Sequence, residues 1–124
     1  MKKINYSFEC LWGNYIFNCE FNQEIVNYEV ETTIENLSNK QGTLEGEDAK
    51  KFNDLIALAN IPSWVNDELL NIEDATKWSI RYITESIEYE ISGEEAGWPY
   101  NYDKFIEAVL LCDDKATVLK IEGE

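Results

Sequence analysis

From Tyr6 to Trp12 the apolar side chains fall at every second position, Tyr6, Phe8, Cys10 and Trp12, with Asn5, Ser7 and Glu9 on the alternate positions. This two-residue period predicts a strand with one buried face. Tyr15, Phe17, Cys19 and Phe21 repeat it, and the intervening Gly13-Asn14 suits a two-residue hairpin turn. Such a turn sets Trp12 against Tyr15, Cys10 against Phe17, Phe8 against Cys19 and Tyr6 against Phe21, all on one side of the ribbon. It makes Cys10 and Cys19 diagonal neighbours, about 7 Å apart, too far for an unstrained disulfide. A second turn at Asn22-Gln23 adds a third strand, with Val26 facing Cys19, Tyr28 facing Phe17 and Val30 facing Tyr15.

Asn36 to Gly42 is polar and reads as a loop closing this meander. The period then lengthens. Ala49, Phe52, Leu55, Ile56 and Ala59 form one helical stripe between Glu47 and Asn60, with Glu47, Asp48, Lys50, Lys51 and Asp54 outside it. Glu47 and Asp48 suit the dipole of a first turn, and Pro62 ends the helix. Trp64 to Leu70 reads as connection. Alternation returns in Trp78, Ile80, Tyr82 and in Ile87, Tyr89, Ile91, joined at Glu85-Ser86 by a hairpin that pairs Tyr82 with Tyr89 and Ile80 with Ile91. Tyr102, Phe105, Ile106, Val109 and Leu110 mark a second amphipathic helix with Asn101 as its N-cap. Val118, Leu119 and Ile121 suggest a short edge strand. The order β-β-β-α-β-β-α predicts a single α+β domain over residues 1–124: an antiparallel sheet of about five strands with two helices packed on its apolar face.

Fixing the apolar face also fixes the polar one. It carries Asn5, Ser7, Glu9, Asn18, Glu20, Asn27, Glu29, Glu31, Glu88 and Glu90, with Arg81 as its one expected cation, opposite Glu90. The whole chain has 25 acidic and 10 basic residues, no histidine and a net charge of −15. Like charges facing each other on a sheet reduce stability, and lysine would serve solubility equally well. The one-sidedness therefore points to a basic protein partner, a plain solvated face being the alternative reading. The candidate contacts are Glu9, Glu20, Glu29, Glu31 and Glu88, extended by Glu94 and Glu95, with Trp98 and Tyr100 flanking Pro99 as aromatic anchors. Capping the core of the second helix is the alternative role for Trp98. The same charge disfavours direct binding of nucleic acid or anionic membrane. No apolar run approaches the ~20 residues of a membrane span, and Met1-Lys2-Lys3 leads into no secretory core, so a cytoplasmic location is expected.

Catalytic signatures are weak. The commonest general base, histidine, is missing. Cys10 and Cys19 fall on the apolar face, and Cys112 adjoins Asp113, whose charge raises a thiol pKa. No C-x-x-C pair suggests zinc, and neither a calcium-loop pattern nor a glycine-rich phosphate loop occurs. Glycoside hydrolysis would need two carboxyl groups about 5 to 9 Å apart. Glu73/Asp74, Glu94/Glu95 and Asp113/Asp114 are the sequence pairs that offer it, but adjacent acids arise by chance in so acidic a chain. The expectation is a non-enzymatic protein without cofactor or metal, a small carboxylate-dependent enzyme being the last alternative.

The stretch DATKWSIRYITESIEYEISGEEAGWPYNYDKFIEAVLL, residues 74–111, resembles a pattern of small bacterial proteins. In these a D-G-x-x-W turn and strand lead to a second strand, a Ser-Gly step, a proline and an aromatic-led helix. Ala75 stands in place of the glycine, and Glu94-Glu95-Ala96-Gly97 in place of a shorter polar step. By type, the chain is also similar to immunity proteins. The first resemblance implies the fold and a bacterial origin, and the second a function as an inhibitor of a basic, nuclease-type toxin, whose active site or nucleic-acid groove it would occupy. A nucleic-acid mimic of the anti-restriction or anti-CRISPR kind is the second binding hypothesis.

Overall fold

The computed structural model describes residues 1–65, 76–94 and 98–120. Four strands come first, β1 (Lys2–Cys10), β2 (Gly13–Phe21), β3 (Ile25–Thr32) and β4 (Lys40–Glu45), and then helix α1 (Gly46–Ala59). Strands β5 (Lys77–Ile83) and β6 (Glu88–Glu94) precede helix α2 (Tyr102–Cys112), and 3-10 turns cover Ile61–Ser63 and Thr117–Leu119. The strands form one antiparallel sheet in the order β4-β3-β2-β1-β5-β6. The α+β architecture is as the sequence predicts, with one strand more.

That extra strand is β4, which the sequence reading takes partly as loop. Its core-side positions, Lys40, Gly42 and Leu44, lie opposite Val30, Tyr28 and Val26, so only Leu44 signals an apolar alternation. A side chain at Gly42 would strike the Tyr28 ring, its Cβ falling 2.5 Å from the hydroxyl. The edge strand thus exchanges its own apolar pattern for room under a neighbour's tyrosine.

Two hairpin registers differ from expectation by an even number of residues, which keeps the strand side chains on their predicted face, although Trp12, expected opposite Tyr15 on the apolar face, is left in the turn and exposed. The first hairpin turns at Leu11-Trp12, not at Gly13-Asn14, so Cys10 pairs with Gly13, Phe8 with Tyr15, Tyr6 with Phe17 and Ile4 with Cys19. Closure two residues earlier brings fully buried Ile4 into the core, where the predicted register would leave it opposite Gln23. In the second hairpin, Phe21 pairs with Val26 and Cys19 with Tyr28. Asn22 makes this turn: its side-chain oxygen accepts hydrogen bonds from the Glu24 and Ile25 amides at 2.8 and 3.0 Å. The β5–β6 pairing, Tyr82 with Tyr89 and Ile80 with Ile91, is the predicted one.

Both helices cover one face of the sheet. Phe52 of α1 meets the Phe21 ring edge-on at 5.4 Å, and Phe105 of α2 meets Tyr6 at 4.9 Å. Tyr6 and Tyr102 share a hydrogen bond between their buried hydroxyls, which satisfies both polar tips inside the core. Helix α1 ends where Asn60 turns left-handed at φ 49°, just before Pro62. Trp64 is buried and donates its indole N–H to Ala59 O at 2.8 Å; the rest of the expected connection, residues 66–70, lies outside the described residues. Asn101 precedes α2 as predicted, but its side chain donates to Leu58 O of α1 at 3.1 Å rather than capping its own helix. The expected C-terminal edge strand is instead the 3-10 turn holding buried Leu119, and Ile121 lies outside the described residues.

Candidate functional site

No helix lies over the other face of the sheet in the described structure, and its side chains form rows that cross the strands. The first row runs Thr43, Asn27, Glu20, Lys3, Ile83, Glu88, and the second Gln41, Glu29, Asn18, Asn5, Arg81, Glu90. The third places Glu31, Ile16, Ser7, Ser79 and Ser92 side by side, and the last Asn14, Glu9, Lys77 and Glu94. Strand alternation alone projects these residues away from the helices.

Cations on this face are more numerous than the sequence reading allows. Strand β1 begins earlier than expected and brings Lys3 onto the face, and Lys77 opens β5 there. Lys3 Nζ lies 3.4 Å from Glu20, and Arg81 reaches Glu88 at 2.5 Å rather than Glu90, its partner in register. The reach is diagonal because the long guanidinium arm spans to the next row. Glu20 and Glu88 therefore carry local counter-charges. Exposed Glu9, Glu29, Glu31 and Glu90 have no cation within ion-pair distance among the described residues.

The first two rows line an open depression of about 790 Å³, bounded by Lys3, Asn5, Asn18, Glu20, Asn27, Glu29, Gln41, Thr43 and Arg81. Asn5 Nδ2 donates to Asn18 Oδ1 at 2.9 Å, and Thr43 Oγ1 donates to Asn27 Oδ1 at 2.9 Å. These bonds hold a polar floor, and the remaining amide donors and acceptors of the floor face solvent. Amides beside carboxylates can accept an extended peptide's backbone groups together with its basic side chains. The asparagines carried no charge signal in the sequence, and strand register is what gathers them.

The other expected contacts are placed differently. Glu94, the last residue of β6, is buried and already engaged with neighbouring groups; it does not extend the exposed patch. Glu95 lies outside the described residues. Trp98 stacks on Trp78 at 6.3 Å and packs against Tyr102 at 4.8 Å, so it caps the core near α2, its alternative role. Tyr100 is 88% exposed, on the loop before α2 rather than among the glutamate rows.

Of the three carboxyl pairs noted in the sequence, Asp113/Asp114 alone lies wholly among the described residues. Asp113 is buried, accepting a hydrogen bond from Tyr15 at 2.9 Å. Glu73 and Asp74 lie outside the described residues. Burial pushes the Cys112 thiol up to about 12, against a smaller lowering by Lys40, and burial also raises Cys19. All three cysteines are free, and no three metal-ligating side chains gather among the described residues. None of the described helices is long and apolar enough to cross a membrane. Compared with protein-family models and with curated proteins, the chain matches none.

Proposed function

We propose that this chain is a non-catalytic binding protein whose open sheet face docks a basic protein, in the manner of an immunity protein occupying the nucleic-acid groove of a nuclease-type toxin. The observation that carries this reading is the set of four exposed carboxylates, Glu9, Glu29, Glu31 and Glu90, with no cation within ion-pair distance among the described residues, on a face that no described helix covers. Glu29 and Glu31 have no charged neighbour across the strands, and Glu9 and Glu90 stand opposite Lys77 and Arg81 without forming an ion pair among the described residues, so none of the four serves a pairing that the fold requires. Against a cationic surface the same charges accelerate encounter, by roughly 10- to 1000-fold at low salt. The polar floor formed by Asn5, Asn18, Asn27 and Gln41 supplies hydrogen-bonding partners within that charged frame, as protein interfaces require.

The test is capture from the native cells with the tagged chain, run in parallel with Glu29→Lys/Glu31→Lys. The expected result is one basic protein retained by the wild type and lost from the variant, with the two circular dichroism spectra superimposable. Retention by both at equal yield would overturn the proposal.

A further inference from the structure

The hairpin between β1 and β2 carries an unusual tip. Leu11 is 66% and Trp12 70% exposed, although two-residue turns ordinarily hold Gly, Asn, Asp or Ser. The backbone shows why these residues are tolerated. The positive dihedral that the hairpin needs falls on Gly13, at φ 133°, whereas Leu11 and Trp12 stay at negative φ. Gly13 also passes so near Thr33 that a Cβ there would sit 2.6 Å from its hydroxyl oxygen. The two tip positions are thereby free of conformational demand, and their apolar side chains remain largely in water. A large indole in such a place contributes little to the core.

The tip adjoins two of the four carboxylates that make no ion pair among the described residues. Glu9 is one residue before the closing Cys10–Gly13 pair, and Glu31 is opposite Ile16, about 10 Å along the strands from that closure. The paired ions Lys3–Glu20 and Arg81–Glu88 occupy the opposite end of the same face. Exposed apolar surface thus meets Glu9 and Glu31 at one end of the face, with Lys77 beside Glu9 and with Glu29 and Glu90 in the row of Arg81 further along, and an aromatic anchor with acidic groups around it is the composition of a contact surface.

We infer that Leu11 and Trp12 are the apolar anchor of the docking surface, inserted into an apolar pocket that the basic partner presents beside its cationic groups. This rests on the proposed function and specifies the partner's chemistry: a cationic rim alone does not suffice. Electrostatic contacts at the rim act mainly on association, whereas a desolvated anchor acts mainly on dissociation.

The experiment uses the basic protein captured by the wild-type chain, purified, as the probe in surface plasmon resonance. Trp12→Ala and Leu11→Ser are compared with Leu58→Ser, an exposed apolar control on α1, and with Glu29→Lys/Glu31→Lys. The expected result is a dissociation rate raised about 30-fold or more by Trp12→Ala, with association nearly unchanged, no effect of Leu58→Ser, and slowed association in the glutamate variant. If Trp12→Ala and Leu11→Ser bind like the wild type while the glutamate variant fails, the anchor is refuted and the acidic docking face stands. If the glutamate variant also binds normally, the docking face itself is refuted. Sedimentation of the chain alone supplies a further arm: a dimer dissolved by Trp12→Ala would assign the tip to self-association and overturn the inference.

Discussion

Removing the Tyr15 hydroxyl isolates the contribution of one buried polar tie. Tyr15 is fully buried on β2 and donates to Oδ2 of Asp113, immediately after α2, at 2.9 Å. Asp113 is 3% exposed, and among the described residues its other carboxylate oxygen has only Lys40 Nζ at 3.9 Å and the Lys115 amide at 3.4 Å for company. Tyr15→Phe leaves the ring in place and deletes a hydrogen bond to a charged acceptor, a change of about 1.5–3 kcal/mol. With an unfolding entropy of about 2.1 cal/mol/K per residue, 124 residues give about 0.26 kcal/mol/K, so a loss of about 2 kcal/mol lowers Tm by about 8 °C. Lys40 is half-exposed and more distant, and Lys40→Gln should change stability by less than about 1 kcal/mol. Urea and thermal unfolding followed by circular dichroism measure both. A Tyr15→Phe variant within about 0.5 kcal/mol of wild type, or a larger loss from Lys40→Gln, would refute the assignment of the tie.

Three other outcomes follow from the same core. Gly93→Ala places a Cβ 2.7 Å from the Trp78 ring, which is held between Trp64 and Trp98; urea unfolding should show a loss of about 1–3 kcal/mol, and wild-type stability would mean that the indole can yield. Burial raises the pKa of Tyr6, Tyr15, Tyr102 and Cys19, and that of Cys112 to about 12. Because these folded values exceed the unfolded ones, the stability they contribute is complete below about pH 9 and falls above it, by up to about 1.4 kcal/mol per pH unit for each group; unfolding free energies that stay flat from about pH 9 to 11 would contradict this. Half-exposed Cys10 should react with a thiol reagent in the folded protein, with Cys19 and Cys112 reacting only on unfolding; fast labelling at all three would contradict their burial.

The faces of the sheet were legible in the sequence because a period of two survives any even slip in register. Tyr6, Phe8, Phe17 and Cys19 are therefore buried as expected even though the first hairpin closes at Leu11-Trp12. The register itself was not legible, because Gly13-Asn14 looks like a turn, whereas Gly13 is needed just beyond it, where the chain passes Thr33. Strand β4 was hidden for a related reason: with Lys40 and Gly42 on its core side, it has almost no apolar alternation to read. At the candidate site, Glu9, Glu29 and Glu31 could be placed from strand parity alone. The neutralisation of Glu20 and Glu88 could not, since it depends on where β1 begins and how far the Arg81 side chain reaches. Stacking of Trp98 on Trp78 depends on a contact between segments remote in sequence, which no local pattern encodes.

In the proposed function it is the position of the open-face carboxylates, rather than the chain's total charge, that recruits the partner. Two variants with equal charge loss decide it: Glu9→Gln, Glu29→Gln, Glu31→Gln and Glu90→Gln together on the open face, against Glu35→Gln, Glu47→Gln, Asp48→Asn and Asp54→Asn together outside it. The measurement is the association rate with the captured basic protein as a function of ionic strength. The open-face variant should lose most of the rate and of its salt dependence, with the other variant close to wild type. Equal losses in the two variants would contradict it.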